Sequence, residues 1–247
     1  MIYLRAACFW AVLVFLCTGC IVQSINPHYT KESRVALPGV VGKWQLVKNL
    51  GHDVEAGNKK AEEQGEGKGV MSPWTITEIG PEGGGPSYDV TSYDQSNREG
   101  KLNAVFFPVD GETYCNVTPA APPKEASTYW QNSVYRVHIL FKVELKDDVL
   151  RLRFISREWM EKAIAAKQVT FPVVEKSRKL LLNATAEDWK AFLEKYGKSE
   201  GVFSDKNPME LKRVKGEAAG AGAEKKEQPA EAKKDAPKAE AEEKKEF

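Results

Sequence analysis

Residues 134–155 read VYRVHILFKVELKDDVLRLRFI. Tyr135, Val137, Ile139, Phe141, Val143 and Leu145 stand at every second position, while Arg136, His138, Lys142 and Glu144 fall between them. Successive side chains of a strand point to opposite sides, so this spacing predicts a strand with one buried face. Asp147-Asp148 then turns the chain into Val149–Ile155. A two-residue turn pairs Leu145 with Leu150, Val143 with Leu152 and Phe141 with Phe154. The same register sets Glu144 opposite Arg151, a contact of ~0.2–1 kcal/mol, and Lys142 opposite Arg153, which repels. A slip of one residue would turn the polar face of the second strand toward the core, so the register is fixed by burial.

Working outward, the same alternation recurs at Lys43–Asn49 around Trp44 and Leu46, at Trp74–Ile79, Ser87–Asp94, Leu102–Pro108 and Glu112–Thr118. Asp110-Gly111 between apolar runs is a hairpin signal, because both positions tolerate positive φ. Pro81–Pro86 and Asn97–Gly100 supply further breaks, and Gly51–Gly69, with its Lys59–Glu63 charge cluster, reads as a long exposed loop. Short strands at this spacing predict a mainly β fold, a barrel or sandwich of antiparallel strands.

Two helices are expected after these strands. Ser156 is placed to cap Arg157–Lys167, with Trp159, Met160, Ala163 and Ile164 on one stripe. Thr185 and Asp188 form a capping-box pattern ahead of Ala186–Tyr196, where Trp189, Phe192, Leu193 and Tyr196 share a face and Gly197 follows. Both aromatic stripes read as core or barrel-capping surface. Lys179–Leu182 and Glu210–Val214 are short strand candidates on either side of the second helix.

The whole chain has 247 residues and a formal net charge of +1, which provides no field for a dedicated nucleic-acid binder. Four Cys are too few for a disulfide scaffold. Arg5 precedes the uncharged run Ala6–Leu16, which is too short to span a membrane but right for a secretory signal. Lys215–Phe247 holds eight Lys, nine acidic residues and nine Ala with one aromatic, and its composition predicts disorder. The expected organisation is therefore residues 1–19 signal peptide, 20–41 tether and lead-in, 42–214 barrel-like domain with its helices, and 215–247 tail.

Leu16-Cys17-Thr18-Gly19-Cys20 resembles a bacterial lipobox, with Cys17 where the family usually has Leu. The resemblance implies cleavage after Gly19 and acylation of Cys20, and Ile21 in place of Asp implies the outer membrane, facing the periplasm, in a diderm host. Two acyl chains suffice for stable anchoring, where one does not. Gly42-Lys43-Trp44 resembles the Gly-x-Trp start of lipocalins, an eight-stranded barrel family in which that Trp closes one end and is covered by a late Arg; Arg213 is the counterpart here. Ile25–Thr30, Val41–Trp44, Leu180–Thr185 and Trp189–Tyr196 together resemble uncharacterised bacterial lipoproteins, which implies an envelope location and a barrel-like fold. The Gly51–Gly69 and Pro119–Pro123 loops and the two helices depart from a plain lipocalin.

No nucleophile elbow, zinc-binding helix motif or nucleotide fingerprint occurs. His28, His52 and His138 show no shared metal-ligand spacing; His28 reads as part of the tether and His138 as a solvated imidazole. Cys115 reads as a small buried hydrophobe. Neither a metal nor a cofactor is expected, and enzyme chemistry ranks last. The leading expectation is a lipid-anchored lipoprotein whose barrel takes a small apolar ligand or lipid along Tyr135, Val137, Ile139 and Phe141. Its rival is a filled barrel serving as an envelope interaction platform, with envelope protein or polymer met through the tail.

Overall fold

The computed structural model describes residues 21–49, 52–53, 72–80, 85–93, 98–120, 136–176, 179–205 and 208–215. Cys20, Tyr135, most of the Gly51–Gly69 loop and the tail expectation from residue 216 onward lie outside the described residues.

The hairpin that opens the sequence reading is present in the expected register. Strand β8 (His138–Lys146) pairs with β9 (Val149–Phe154) through Phe141–Phe154, Val143–Leu152, Glu144–Arg151 and Leu145–Leu150. Asp147 and Asp148 turn the chain with φ of 50° and 59°, and Asp110 and Gly111 do the same at 51° and 77°. Positive φ at both central residues matches the right-handed twist of the flanking strands.

The remaining strands extend this hairpin into a closed ring. They are β2 (Gly42–Asn49), β4 (Trp74–Ile79), β5 (Ser87–Tyr93), β6 (Glu99–Val109), β7 (Glu112–Pro119) and β12 (Met209–Arg213). Each pairs antiparallel with its neighbour in chain order from β2 to β9, and β12 closes the gap between β9 and β2. The result is the expected eight-stranded antiparallel barrel with two helices. A short strand β3 (His52–Asp53) folds back antiparallel on the end of β2.

One residue set fills the inside of the ring. Trp44, Leu46, Ile76, Tyr88, Phe106, Cys115, Phe141, Val143, Leu150, Leu152, Phe154 and Leu211 form a single buried cluster. Removing each large side chain from water stabilises the fold by ~1.5–3 kcal/mol. A second cluster lies on the outer wall, where Phe107, Tyr114 and Leu140 meet helices α1 (Arg157–Ala165) and α2 (Ala186–Tyr196). Both caps form as expected: Ser156 Oγ accepts from Trp159 N at 3.2 Å, and the Thr185–Asp188 capping box is complete. The aromatic stripes are therefore core against the barrel's flank, with Trp189, Phe192, Trp159 and Tyr196 in edge-to-face contacts.

Burial of this outer wall corrects the solvated-face reading of β8. Leu140 is core, and Lys142 is buried, where it pairs with Glu112 at 3.2 Å and donates to Gly197 O at 3.2 Å. A cation at the carbonyl end of α2 also meets the negative end of the helix dipole. Gly197 ends α2 with φ −60°, so positive φ is not why glycine stands there. A Cβ at Gly197 would strike the Tyr114 hydroxyl and Leu193 O, so close packing demands the missing side chain.

The lead-in segment holds further structure that its sequence did not announce. Strand β1 (Val22–Ser24) pairs antiparallel with the first residues of β8 and parallel with β11 (Leu180–Leu182), beside which lies β10 (Val173–Glu175). Three residues carry too little periodicity to be read as a strand; only tertiary pairing defines them.

Candidate functional site

Meander topology puts alternate connections at opposite ends of the barrel. The β4–β5 connection and the turns at Asp110-Gly111 and Asp147-Asp148 share one end, and the connections β2–β4, β5–β6, β7–β8 and β9–β12 share the other.

The short-turn end is closed. Residues 35–41 cross it, with Val35 N donating to Phe106 O at 2.9 Å and Leu37 N to the Tyr88 hydroxyl at 3.1 Å. Trp44 Nε1 donates to Val40 O at 2.8 Å, and Val40 is fully buried. The Arg213 guanidinium lies 4.3 Å from the Trp44 ring centroid. It donates to Val41 O at 3.1 Å, to Gly39 O, and through Nε to Asp148 at 2.8 Å. Gly42 has φ 136°, and a Cβ there would stand 2.8 Å from Arg213 Nη1. Gly42, Trp44 and Arg213 thus meet at this end of the barrel. A stacked, multiply bonded guanidinium suits this place because its charge faces a ring and carbonyl oxygens.

At the other end the apolar lining is only partly buried. Leu102, Val117, Ile139 and Met209 all pack on the interior cluster while remaining partly exposed. Ile139 is therefore brought to this mouth, and Val137 precedes it at the rim, partly exposed. Phe141 sits deeper, buried against Phe154 with ring centroids 4.5 Å apart, so it forms floor instead of lining. Two interior-facing polar atoms are buried without a partner: the donor Trp74 Nε1, on the residue opposite Trp44 across the β2–β4 pairing, and the acceptor Gln23 Oε1. Gln23 stands opposite Ile139 across the β1–β8 pairing, which puts it on the inward face. A buried donor or acceptor left unmade costs ~1–3 kcal/mol. An open hollow of about 420 Å³, lined by Ser92, Tyr93, Arg98, Glu99 and Gly100, lies at the same end on the β5–β6 side.

Trp74, Leu102, Met209 and Gln23 were not singled out as site residues from sequence. Alternation marked the first two only as strand residues, and which end of each strand is open depends on how the ring closes.

A polar cluster lies outside the barrel. Asn116 Oδ1 accepts from His28 Nδ1 at 2.7 Å and from the His28 backbone N–H at 3.3 Å, and Asn116 Nδ2 donates to His138 Nδ1 at 3.1 Å. His28 packs on Trp189 with ring centroids 4.5 Å apart, and Trp189 Nε1 donates to Ser24 Oγ at 3.2 Å. His28 is thus not part of a free tether, and His138 is half-buried and bonded. Burial is the main cause holding the His28 imidazole at a pKa of about 3, partly offset by its bond to Asn116. His138 is lowered for the same reason, with Arg136 adding to it. Both rings are neutral at pH 7, and Asn116 can only accept at Oδ1, so His28 carries its proton on Nδ1. Ser24, His28 and Asn116 are all buried, which suits a clasp between the lead-in, the wall and α2 and not a reacting centre.

Cys115 is buried inside the barrel, and desolvation pushes its thiol far above the usual value, so it is inert as the sequence reading expects. Among the described residues no group of three or more His, Cys, Asp or Glu could hold a metal ion. No helix among them is long and apolar enough to cross a membrane.

The fold and mouth together define an eight-stranded up-and-down barrel, closed at one end and apolar at the other. Compared with protein families, curated proteins and solved structures, the chain has no match.

Proposed function

We propose that this protein is a lipid-anchored envelope lipoprotein whose barrel binds a small apolar ligand at the end opposite Trp44 and Arg213. The observation that carries the binding reading is the mouth itself. Partly exposed Leu102, Val117, Ile139 and Met209 surround it, with an unpartnered acceptor on Gln23. Pockets for small ligands combine an apolar lining with a few placed polar groups. The anchor reading rests on the lipobox-like sequence Leu16–Cys20.

Native mass spectrometry of the full chain purified from cells tests the binding reading. A co-purifying apolar molecule is expected, and its loss in Ile139→Asp is the matching result. A protein that carries no adduct and takes up no apolar dye overturns it and leaves the platform reading, which the Phe141–Phe154 contact inside the barrel favours. Cys20→Ser tests the anchor separately: it is expected to abolish palmitate labelling and release the protein from membranes.

A further inference from the structure

We propose that the ligand at the mouth is an amphiphile with one anionic head group, held with that head at Arg98 and its alkyl chain over Leu102, Val117 and Ile139. This rests on the ligand-binding reading above and adds the class of the ligand and the way it lies.

The interior side chains of β5 and β6 shrink toward the open end. Tyr88 stands opposite Ala104, Val90 opposite Leu102 and Ser92 opposite Gly100. Tyr88, Val90 and Ala104 are buried in the interior cluster and Leu102 packs on it, so alternation turns Ser92 and Gly100 inward as well. That last pair carries only a hydroxymethyl group and a hydrogen atom. The Ser92 hydroxyl is turned onto Gly100 O, to which it donates at 3.1 Å. Too little side chain is left to fill the space, and there the hollow of about 420 Å³ opens. Pockets for small ligands measure ~300–1,000 Å³.

An apolar path leads inward from this hollow and a cation stands at its rim. Same-face residues of a strand are ~6.8 Å apart, so Leu102 lies one such step below Gly100, and Ala104, opposite Val117, lies two steps below, ~13 Å in all. Val117 in turn faces Ile139 across β7 and β8. Arg98 and Glu99 are the charged residues that line the hollow, and Glu99 pairs with Lys101 at 3.7 Å. Arg98, Glu99 and Lys101 are all exposed, and two cations against one carboxylate leave this rim positive. A guanidinium beside an apolar path matches a carboxylate or phosphate on an alkyl chain. The head gains a charge-assisted hydrogen bond while the chain leaves water. A neutral apolar molecule uses only the second of these.

Displacement of the neutral dye N-phenyl-1-naphthylamine tests this in the full chain with Cys20→Ser, which can carry no acyl chain of its own. The competitors are decanoate, decyl phosphate and decanol, which share one alkyl chain and differ in the head. The anions are expected to displace the dye at about tenfold lower concentration than decanol. Arg98→Gln, at an exposed position, is expected to remove that preference while decanol binds as before. A preference for one anion over the other identifies the head as carboxylate or phosphate. Ser92→Phe fills the hollow and is expected to weaken all three competitors severalfold. Equal displacement by the three, or a preference that survives Arg98→Gln, overturns the anionic head and leaves the binding reading standing. Wild-type binding in Ser92→Phe overturns the seat in the hollow. A dye that never binds overturns the binding reading and this inference with it.

Discussion

At His28 a single buried ring makes the fold sensitive to acid. Its pKa is lowered from 6.5 to about 3, so between those values the unfolded chain holds a proton that the folded chain does not. Stability is therefore complete above pH 6.5 and falls as the pH drops toward 3, by about 2 kcal/mol between pH 7 and 5. His138, lowered in the same direction, adds to the loss. Urea denaturation at pH 7 and 5 measures it, and His28→Gln is expected to remove most of the difference; an unchanged slope would show that other groups carry it. Gly197 offers a second residue-scale test. Gly197→Ala drives a methyl into the Tyr114 hydroxyl and is expected to cost ~1–3 kcal/mol. Tyr114→Phe in the same chain should recover part of that, a coupling read from a double-mutant cycle.

At the scale of elements, turns and caps were legible because their chemistry is local. Asp147 and Asp148 both pay for positive φ, and Asp148 also binds Arg213. Asp147→Gly therefore relieves strain without losing that bond and is expected to stabilise by ~0.5–1 kcal/mol, seen as a higher melting temperature. Asp148→Gly should gain less. In α2, Thr185→Ala removes the acceptor for Asp188 N and should cost ~1 kcal/mol by urea denaturation. Strand β1 shows the opposite case. Its three residues pair only because β8 outruns β9 at its start and leaves an edge for them, and no local signal records that.

For the whole molecule, closure of the ring decides what the parts do. The last barrel strand ends at Arg213, which ties β12 to the closed end through Trp44, Val41 and Asp148. Truncation after Lys215 is therefore expected to leave the melting temperature unchanged, and a drop of several degrees would mean that the tail contributes to the barrel. Arg213→Ala, by contrast, removes three hydrogen bonds and the ring contact at once, and the loss should be ~2–4 kcal/mol by urea denaturation.

The sequence by itself determined the barrel strands, their register at the 145–150 hairpin, and both helices with their caps. Each follows from periodicity or from hydrogen bonds made within a few residues. Tertiary structure alone decided which wall the helices cover, that His28, Asn116 and His138 meet, and which end of the barrel is open. Those outcomes depend on residues more than eighty positions apart, as His28 and Asn116 are, and spacing along the chain carries no record of contacts made only when the ring closes.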